Sequence, residues 1–275
     1  MAHNIVTAEF INPKGESHPL DFRLYLRKEQ SQEKRVPFQT KIDLAQELVE
    51  DALQRGLEIQ GALFDNWFAS NNFVKFLQAK NLHWVTRLKC DRNVKIKRRY
   101  VAIREFASSL PRESFRRVQI RDRIYQVFSK AVNLKGVGQV RILISYDNEE
   151  FSGSPAYFAT DQIRWKGTRI LKTYPKRWNI ETFFKDSKQN PGLEDCQLRD
   201  LWGIERHWYL IFLAYSLQVS GLFGIDQKPR SESPTLGELI TTTTRKVFSG
   251  LVEWITLQLN RGRSQEDICR LAYGF

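Results

Sequence analysis

Four side chains in one short stretch could act together chemically. They are Tyr174, Arg177, Glu181 and Lys188. Counted from the tyrosine they stand at offsets 0, 3, 7 and 14. On a continuous helix these offsets project at about 0°, −60°, −20° and −40°, so all four fall on one narrow stripe. One carboxylate is then flanked by two cations and a phenol. Such a stripe has a chemical use. The carboxylate can hold a hard divalent cation such as Mg2+, which takes oxygen ligands and is commonly shared with substrate phosphates, while the cations and the phenol hold phosphate oxygens. It also has a structural use, since Arg, Glu and Lys at helical spacing pair on a solvated face for about 0.2–0.5 kcal/mol per pair. Spacing leaves both uses open. Trp178, Ile180 and Phe184 project on other arcs and are expected to face a core.

The second chemical feature is charge. Between Arg87 and Arg123 the sequence places thirteen lysines and arginines against four acids, a net +9 of the whole chain's +12. Lys97, Arg98, Arg99, Arg116 and Arg117 stand out in this run. It is either a solvated face or a surface that tracks a phosphate backbone without reading its sequence.

The 275 residues are 41% hydrophobic and 27% charged, a composition that suits a globular chain and excludes a disordered one. Cys90, Cys196 and Cys269 lie far apart with no Cys-x-x-Cys spacing. They read as free thiols in a reducing compartment, not as a zinc site or a disulfide framework. The opening Met-Ala-His-Asn-Ile-Val has neither the basic nor the apolar region of a signal peptide. The most apolar window, 208–225, contains Gln218 and follows Glu205, Arg206 and His207. It reads as a buried core helix, not a membrane span.

These residues need elements to position them. Residues 5–11 and 20–26 alternate as strands around the turn Asn12-Pro13-Lys14-Gly15, a hairpin. Ile42, Leu44, Ala45, Leu48, Ala52 and Leu53 recur at helical spacing, and Gly56 stops that helix. A strand over 59–64 ends at Asp65, a helix starts after the cap Ser70-Asn71-Asn72, and 82–88 is a further strand. A short helix at 101–110 and strands at 115–120, 125–132 and 140–146 make a β-rich insertion, followed by a strand at 156–160. Helices are expected over 167–190, bent at Pro175, and over 200–224. A linker at 229–234 leads to two small amphipathic helices. The class is α/β.

The pattern Tyr, two residues, Arg, three residues, Glu, six residues, Lys resembles the signature helix of bacterial insertion-sequence transposases of the DDE type. Ala62-Leu63-Phe64-Asp65-Asn66-Trp67-Phe68-Ala69-Ser70 resembles that family's strand-end motif carrying its second catalytic Asp. Leu20-Asp21-Phe22-Arg23-Leu24-Tyr25 and Lys185-Asp186-Ser187-Lys188-Gln189-Asn190 resemble a strand-pairing segment and the tail of the Glu helix. The likeness spans residues 3–225. It implies a ribonuclease-H-like mixed sheet flanked by helices, with a first core part at 1–88, a basic β-rich insertion at 89–154, a second core part at 155–226 and a C-terminal helical segment at 227–275. The 116 residues from Asp65 to Glu181 leave room for that insertion.

The resemblance also implies roles. Asp65 and Glu181 would be metal ligands for Mg2+ or Mn2+, with a two-ion site in the full-length enzyme. Arg177 and Lys188 would neutralise phosphates, and Tyr174 would donate a hydrogen bond. Tyr157 stands where some relatives stack an aromatic on a flipped base, although it also reads as a core strand aromatic. Trp67, Trp84 and Trp202 are expected in the core or at hinges, and His83 and His207 are isolated. The implied partners are double-stranded DNA, at transposon ends and target, and a second copy in a synaptic complex. The implied setting is a bacterial cytoplasm without membrane contact. The family's first Asp, at the end of the first sheet strand, has no counterpart here. The sheet is therefore expected to lack that strand, and Asp21, inside the hairpin, is a poor substitute. The competing reading is a catalytically inactive remnant that binds DNA or dimerises. A housekeeping ribonuclease-H-like nuclease explains neither the Tyr-Arg-Glu-Lys helix nor the basic insertion.

Overall fold

In the computed structural model, residues 4–190, 192–220 and 236–273 are described. The linker at 229–234 and the end of the apolar window lie outside them. Strands β1 (Asn4–Ile11) and β2 (Ser17–Tyr25) pair as a two-stranded sheet. Their turn closes with the Gly15 N–H donating to the Asn12 carbonyl at 2.9 Å, Gly15 taking the left-handed conformation that side chains resist. After the short helix α1 (Lys28–Glu33) comes α2 (Lys41–Gln54). Thr40 caps α2, accepting from the Asp43 N–H while Asp43 accepts from the Thr40 N–H. Leu44, Ala45, Leu48 and Ala52 form its buried face, as the spacing requires.

Strand β3 (Gly61–Phe64), helix α3 (Asn71–Ala79) and strand β4 (His83–Arg87) form a β-α-β unit, with β3 and β4 parallel in register from Gly61↔His83 to Phe64↔Thr86. Then follow β5 (Asn93–Ile96), β6 (Arg99–Ala102), α4 (Ile103–Ser108), β7 (Arg116–Ile120), β8 (Arg123–Leu134), β9 (Gly138–Tyr146) and β10 (Ala156–Thr160). With β3 and β4 they build one eight-stranded mixed sheet in the order β3-β4-β10-β9-β8-β5-β6, and β7 pairs with β8 off this path. Every pair in it but β3–β4 is antiparallel. The basic strands thus extend the sheet that carries β3 and β10. The β5–β6 hairpin lies just before the expected helix at 101–110 and takes its first residues into β6. Its turn is Lys97-Arg98, with Lys97 at φ +55, and no Gly or Asn announces it.

The sheet is covered on both faces. Along β9, Ile142 and Ile144 enter a core with Leu44, Leu48, Phe73, Leu77 and Trp84, while Leu143 enters another with Val85, Phe158, Ile170 and Tyr174. Fully burying side chains of this size contributes roughly 1.5–3 kcal/mol each. Trp84 is buried as expected, whereas Trp67 and Trp202 are 68% and 73% exposed, so neither is a core residue.

After β10 the chain forms α5 (Gly167–Thr173), a 3-10 turn over Tyr174–Trp178, and α6 (Asn179–Gln189). The bend at Pro175 is present, and it alters the projection. Three residues per turn instead of 3.6 rotates Trp178 outward, and it is exposed. Ile180 and Phe184 are half-buried, and Phe183 is the residue of α6 that fills a core.

Contacts divide the chain into two compact units, residues up to Phe10 with Leu20–Glu181, and Ile11–Pro19 with residues from Thr182 onward. In the second unit Phe183 packs edge-on against Phe212 and Tyr215, each ring centroid 4.9 Å away. These partners lie on α7 (Leu201–Val219), which starts at the cap Asp200. The tail is not two small helices: α8 (Leu236–Asn260) has 25 residues, and only α9 (Gln265–Tyr273) is short. Among the described residues no helix is long and apolar enough to cross a membrane.

Candidate active site

Asp65 stands one residue past the end of β3. Phe64 anchors that end, buried against Phe73 at 5.1 Å and Trp84 at 6.3 Å between ring centroids. The buried Thr86 hydroxyl donates to the Phe64 carbonyl at 2.9 Å and ties the ends of β3 and β4 together. Beyond it the chain turns tightly. The Phe68 N–H donates to the Asp65 carbonyl at 3.0 Å, and the Asn66 N–H donates to Asp65 Oδ1 at 2.6 Å. The carboxylate is thereby aimed by its own turn. Arg87, the last residue of β4, follows Thr86 as Asp65 follows Phe64 in the parallel register, so it lies at the same end of the sheet.

The Tyr174–Trp178 turn lies against β3. Tyr174 is buried, its ring edge-on to Phe158 at 5.0 Å. Arg177 lies over the Tyr174 ring, its guanidinium carbon 5.7 Å from the centroid, and donates a hydrogen bond, 2.6 Å long, to Glu181 Oε1. Burial pushes the Tyr174 phenol above its usual value and nearby Asp65 pushes the same way, while Arg177 and Arg87 pull it down. Burial by itself would loosen the Arg177 proton, but the bond to Glu181 and the neighbouring Tyr174 oxygen hold it above the usual value. Asp65, Tyr174, Arg177 and Glu181 are therefore linked by charge and hydrogen bonding at the end of β3, with Arg87 beside them.

Lys188, on the last turn of α6, pairs with Glu194 at 2.6 Å. Tyr157 is buried among the core side chains, and burial, first, and Tyr146 raise its phenol above the usual value. Asp21 is buried and held by Arg23 at 3.1 Å and Arg55 at 3.0 Å, which occupies it as an ion-pair partner. His83 Nδ1 meets Asp161 Oδ2 at 2.8 Å, at the start of β4 and away from Asp65. Lys97, Arg98, Arg99 and Arg116 are exposed on β5–β7 and their turns, and Arg117 is exposed while paired with Glu149. Sequence reasoning missed Thr86 and Arg87 as site residues. The signal was available, because a parallel strand pair joined by one helix brings the two strand ends together.

Two carboxylates suit a single hard divalent cation whose remaining ligands are water and a substrate phosphate. Among the described residues, however, no group of three or more His, Cys, Asp or Glu is gathered as a metal site. The sequence profile of the family described as Transposase DDE domain matches residues 39–217, which include Asp65, Tyr174, Arg177, Glu181 and Lys188. No curated protein matches the chain. The match covers well over half of the 275 residues and contains the whole linked site, and the chain belongs to the transposase DDE domain family.

Proposed function

We propose that this chain acts on double-stranded DNA as a DDE-type transposase, with Asp65 and Glu181 as two carboxylates of a site for strand cleavage and transfer in cut-and-paste transposition. The observation that carries the reading is the linkage of Asp65, Tyr174, Arg177 and Glu181 at one end of β3. When bound, Mg2+ or Mn2+ supplies Lewis-acid stabilisation of a phosphoryl oxygen and activates the attacking water or 3′-hydroxyl. Asp65 and Glu181 are the residues that would hold it. Arg177 stabilises charge on the phosphate, and it keeps a buried Nε–H without an acceptor. Tyr174 stays protonated and is a hydrogen-bond donor throughout the neutral range. Lys188 takes a phosphate by exchanging its exposed partner Glu194.

The ribonuclease-H-like reading is supported by the parallel β3–β4 pair with a carboxylate at its end and by a helix beyond β10 that carries Glu181 in its first turn. The strands within 89–154 are the DNA-gripping insertion, with Lys97, Arg98, Arg99, Arg116 and Arg117 on the backbone of the duplex. Pairing of two copies is part of the proposal, and the exposed Val247, Phe248, Leu251 and Val252 on α8 offer an apolar surface for it.

A second reading has one specific observation in its favour. No third carboxylate joins the pair among the described residues, which suits a DNA-binding polypeptide without cleavage activity of its own. A nicking assay on plasmid DNA with Mg2+ or Mn2+, run beside a duplex-binding assay, separates the two. The transposase reading expects DNA binding together with nicking that Asp65→Ala or Glu181→Ala abolishes, and binding without nicking would favour the second reading. Absence of DNA binding would overturn both readings.

A further inference from the structure

Trp67, two residues beyond Asp65, is 68% exposed. The turn that carries it is fixed by backbone hydrogen bonds, including Ala69 N–H to the Asn66 carbonyl at 3.2 Å, and gains nothing from burying the indole. A tryptophan this bare next to a linked set of ionisable groups is an informative exception to the burial of large aromatics. Its neighbour is a cation. Lys41 Nζ lies 5.3 Å from the Trp67 ring centroid and 5.0 Å from that of Tyr25, so one ammonium spans two rings. Lys41 is also the first residue of α2, where the helix's own partial positive charge makes a lysine unfavourable. Among the described residues no carboxylate forms an ion pair with it. A positive end of a helix, a lysine without an acid, and a bare aromatic face together suit a ligand that is flat, apolar on its faces and anionic at its edge.

We infer that Trp67, Lys41 and Tyr25 form a docking point for one unpaired nucleotide of a DNA strand entering beside Asp65. The base stacks on the part of the indole that Lys41 leaves open, and the attached phosphate takes the ammonium. Base–aromatic stacking needs a base whose face is free, which a closed duplex does not present, and it tolerates any sequence. The inference rests on the DNA-acting reading above, and adds that strands with unpaired bases are held at the carboxylate end.

The test uses the full chain and two fluorescent probes, a short blunt duplex and the same duplex with a single-stranded tail, read by anisotropy. The wild type is expected to prefer the tailed probe. Trp67→Ala is expected to remove that preference, a loss of about 5- to 150-fold on the tailed probe, with blunt-duplex affinity changed by less than about 2-fold. Trp67→Phe retains most of the preference, because a smaller ring still stacks. Lys41→Met weakens tailed binding and flattens its salt dependence by about one phosphate contact. If the wild type shows no tail preference, or Trp67→Ala keeps it, the inference is wrong and the DNA-acting reading stands. If neither probe is bound, that reading fails and the inference with it.

Discussion

Tyr174 shows how a single side chain reports its surroundings. Its phenol is buried beside Phe158 and faces Asp65, and both effects favour the protonated form over the tyrosinate. The folded state therefore holds this proton more tightly than the unfolded chain, whose tyrosines titrate near pH 10. The contribution to stability is complete below that pH and is lost as pH rises through the higher folded value. Tyr174→Phe removes the dependence. Its unfolding free energy should fall less steeply above about pH 10 than that of the wild type. Tyrosinate absorbance should lose one late-titrating group, and Tyr157, also raised by burial, should remain. Equal alkaline slopes for the two proteins would contradict the arrangement. The spacing of Tyr174 and Arg177 was visible in the sequence because i,i+3 neighbours meet in 3-10 and α winding alike, and Glu181 follows Arg177 at i,i+4 as the chain enters the α-helical α6. The outward turn of Trp178 was not, since it depends on which winding the backbone adopts around Pro175. Nor was the exposure of Trp67. Tryptophan is usually buried, and nothing in Asp65-Asn66-Trp67 distinguishes a packed ring from a bare one.

Elements place these side chains, and two positions test how tightly. Gly61 opens β3, and a Cβ added there would stand 2.5 Å from the His83 carbonyl oxygen of β4. That neighbour is backbone and cannot swing aside. Gly61→Ala must separate the two strands locally, with an expected loss of about 1–3 kcal/mol, read as a lower denaturation midpoint at unchanged slope. Phe183, fully buried on α6 between Phe212 and Tyr215, tests the other unit. Phe183→Ala should cost about 3–5 kcal/mol through the cavity it leaves. A loss below about 1 kcal/mol would mean that α6 and α7 are not packed as described. Most strands and helices were legible from alternation, helical spacing and caps such as Thr40 and Ser70. The β5–β6 hairpin was missed for a physical reason. Its turn residue Lys97 adopts a positive φ without being Gly, Asn or Asp, and cations crowd the positions whose alternation would otherwise mark a strand. The length of α8 was missed because its Thr-rich start carries no helical stripe strong enough to join its two halves.

Charge acts over the full chain, but its distribution decides what it does. The net +12 would attract any polyanion. If overall charge governed DNA affinity, removing any three exposed cations would weaken binding equally. The geometry predicts otherwise, because Lys97, Arg98 and Arg99 are neighbours on one hairpin of the sheet, while Lys28, Lys34 and Arg35 lie on and after α1. The triple variant Lys97→Gln, Arg98→Gln, Arg99→Gln should lower the slope of log K against log salt by up to about 2.7, since each phosphate contact contributes about 0.9. Lys28→Gln, Lys34→Gln, Arg35→Gln carries the same change in net charge and should leave the slope within about half a contact of the wild type. Both sets are exposed and free to be replaced without disturbing a core, so any difference reports on the DNA contact alone. Equal losses in the two variants would show that the positive field steers DNA without a fixed track, and would remove the basic hairpin from the binding surface.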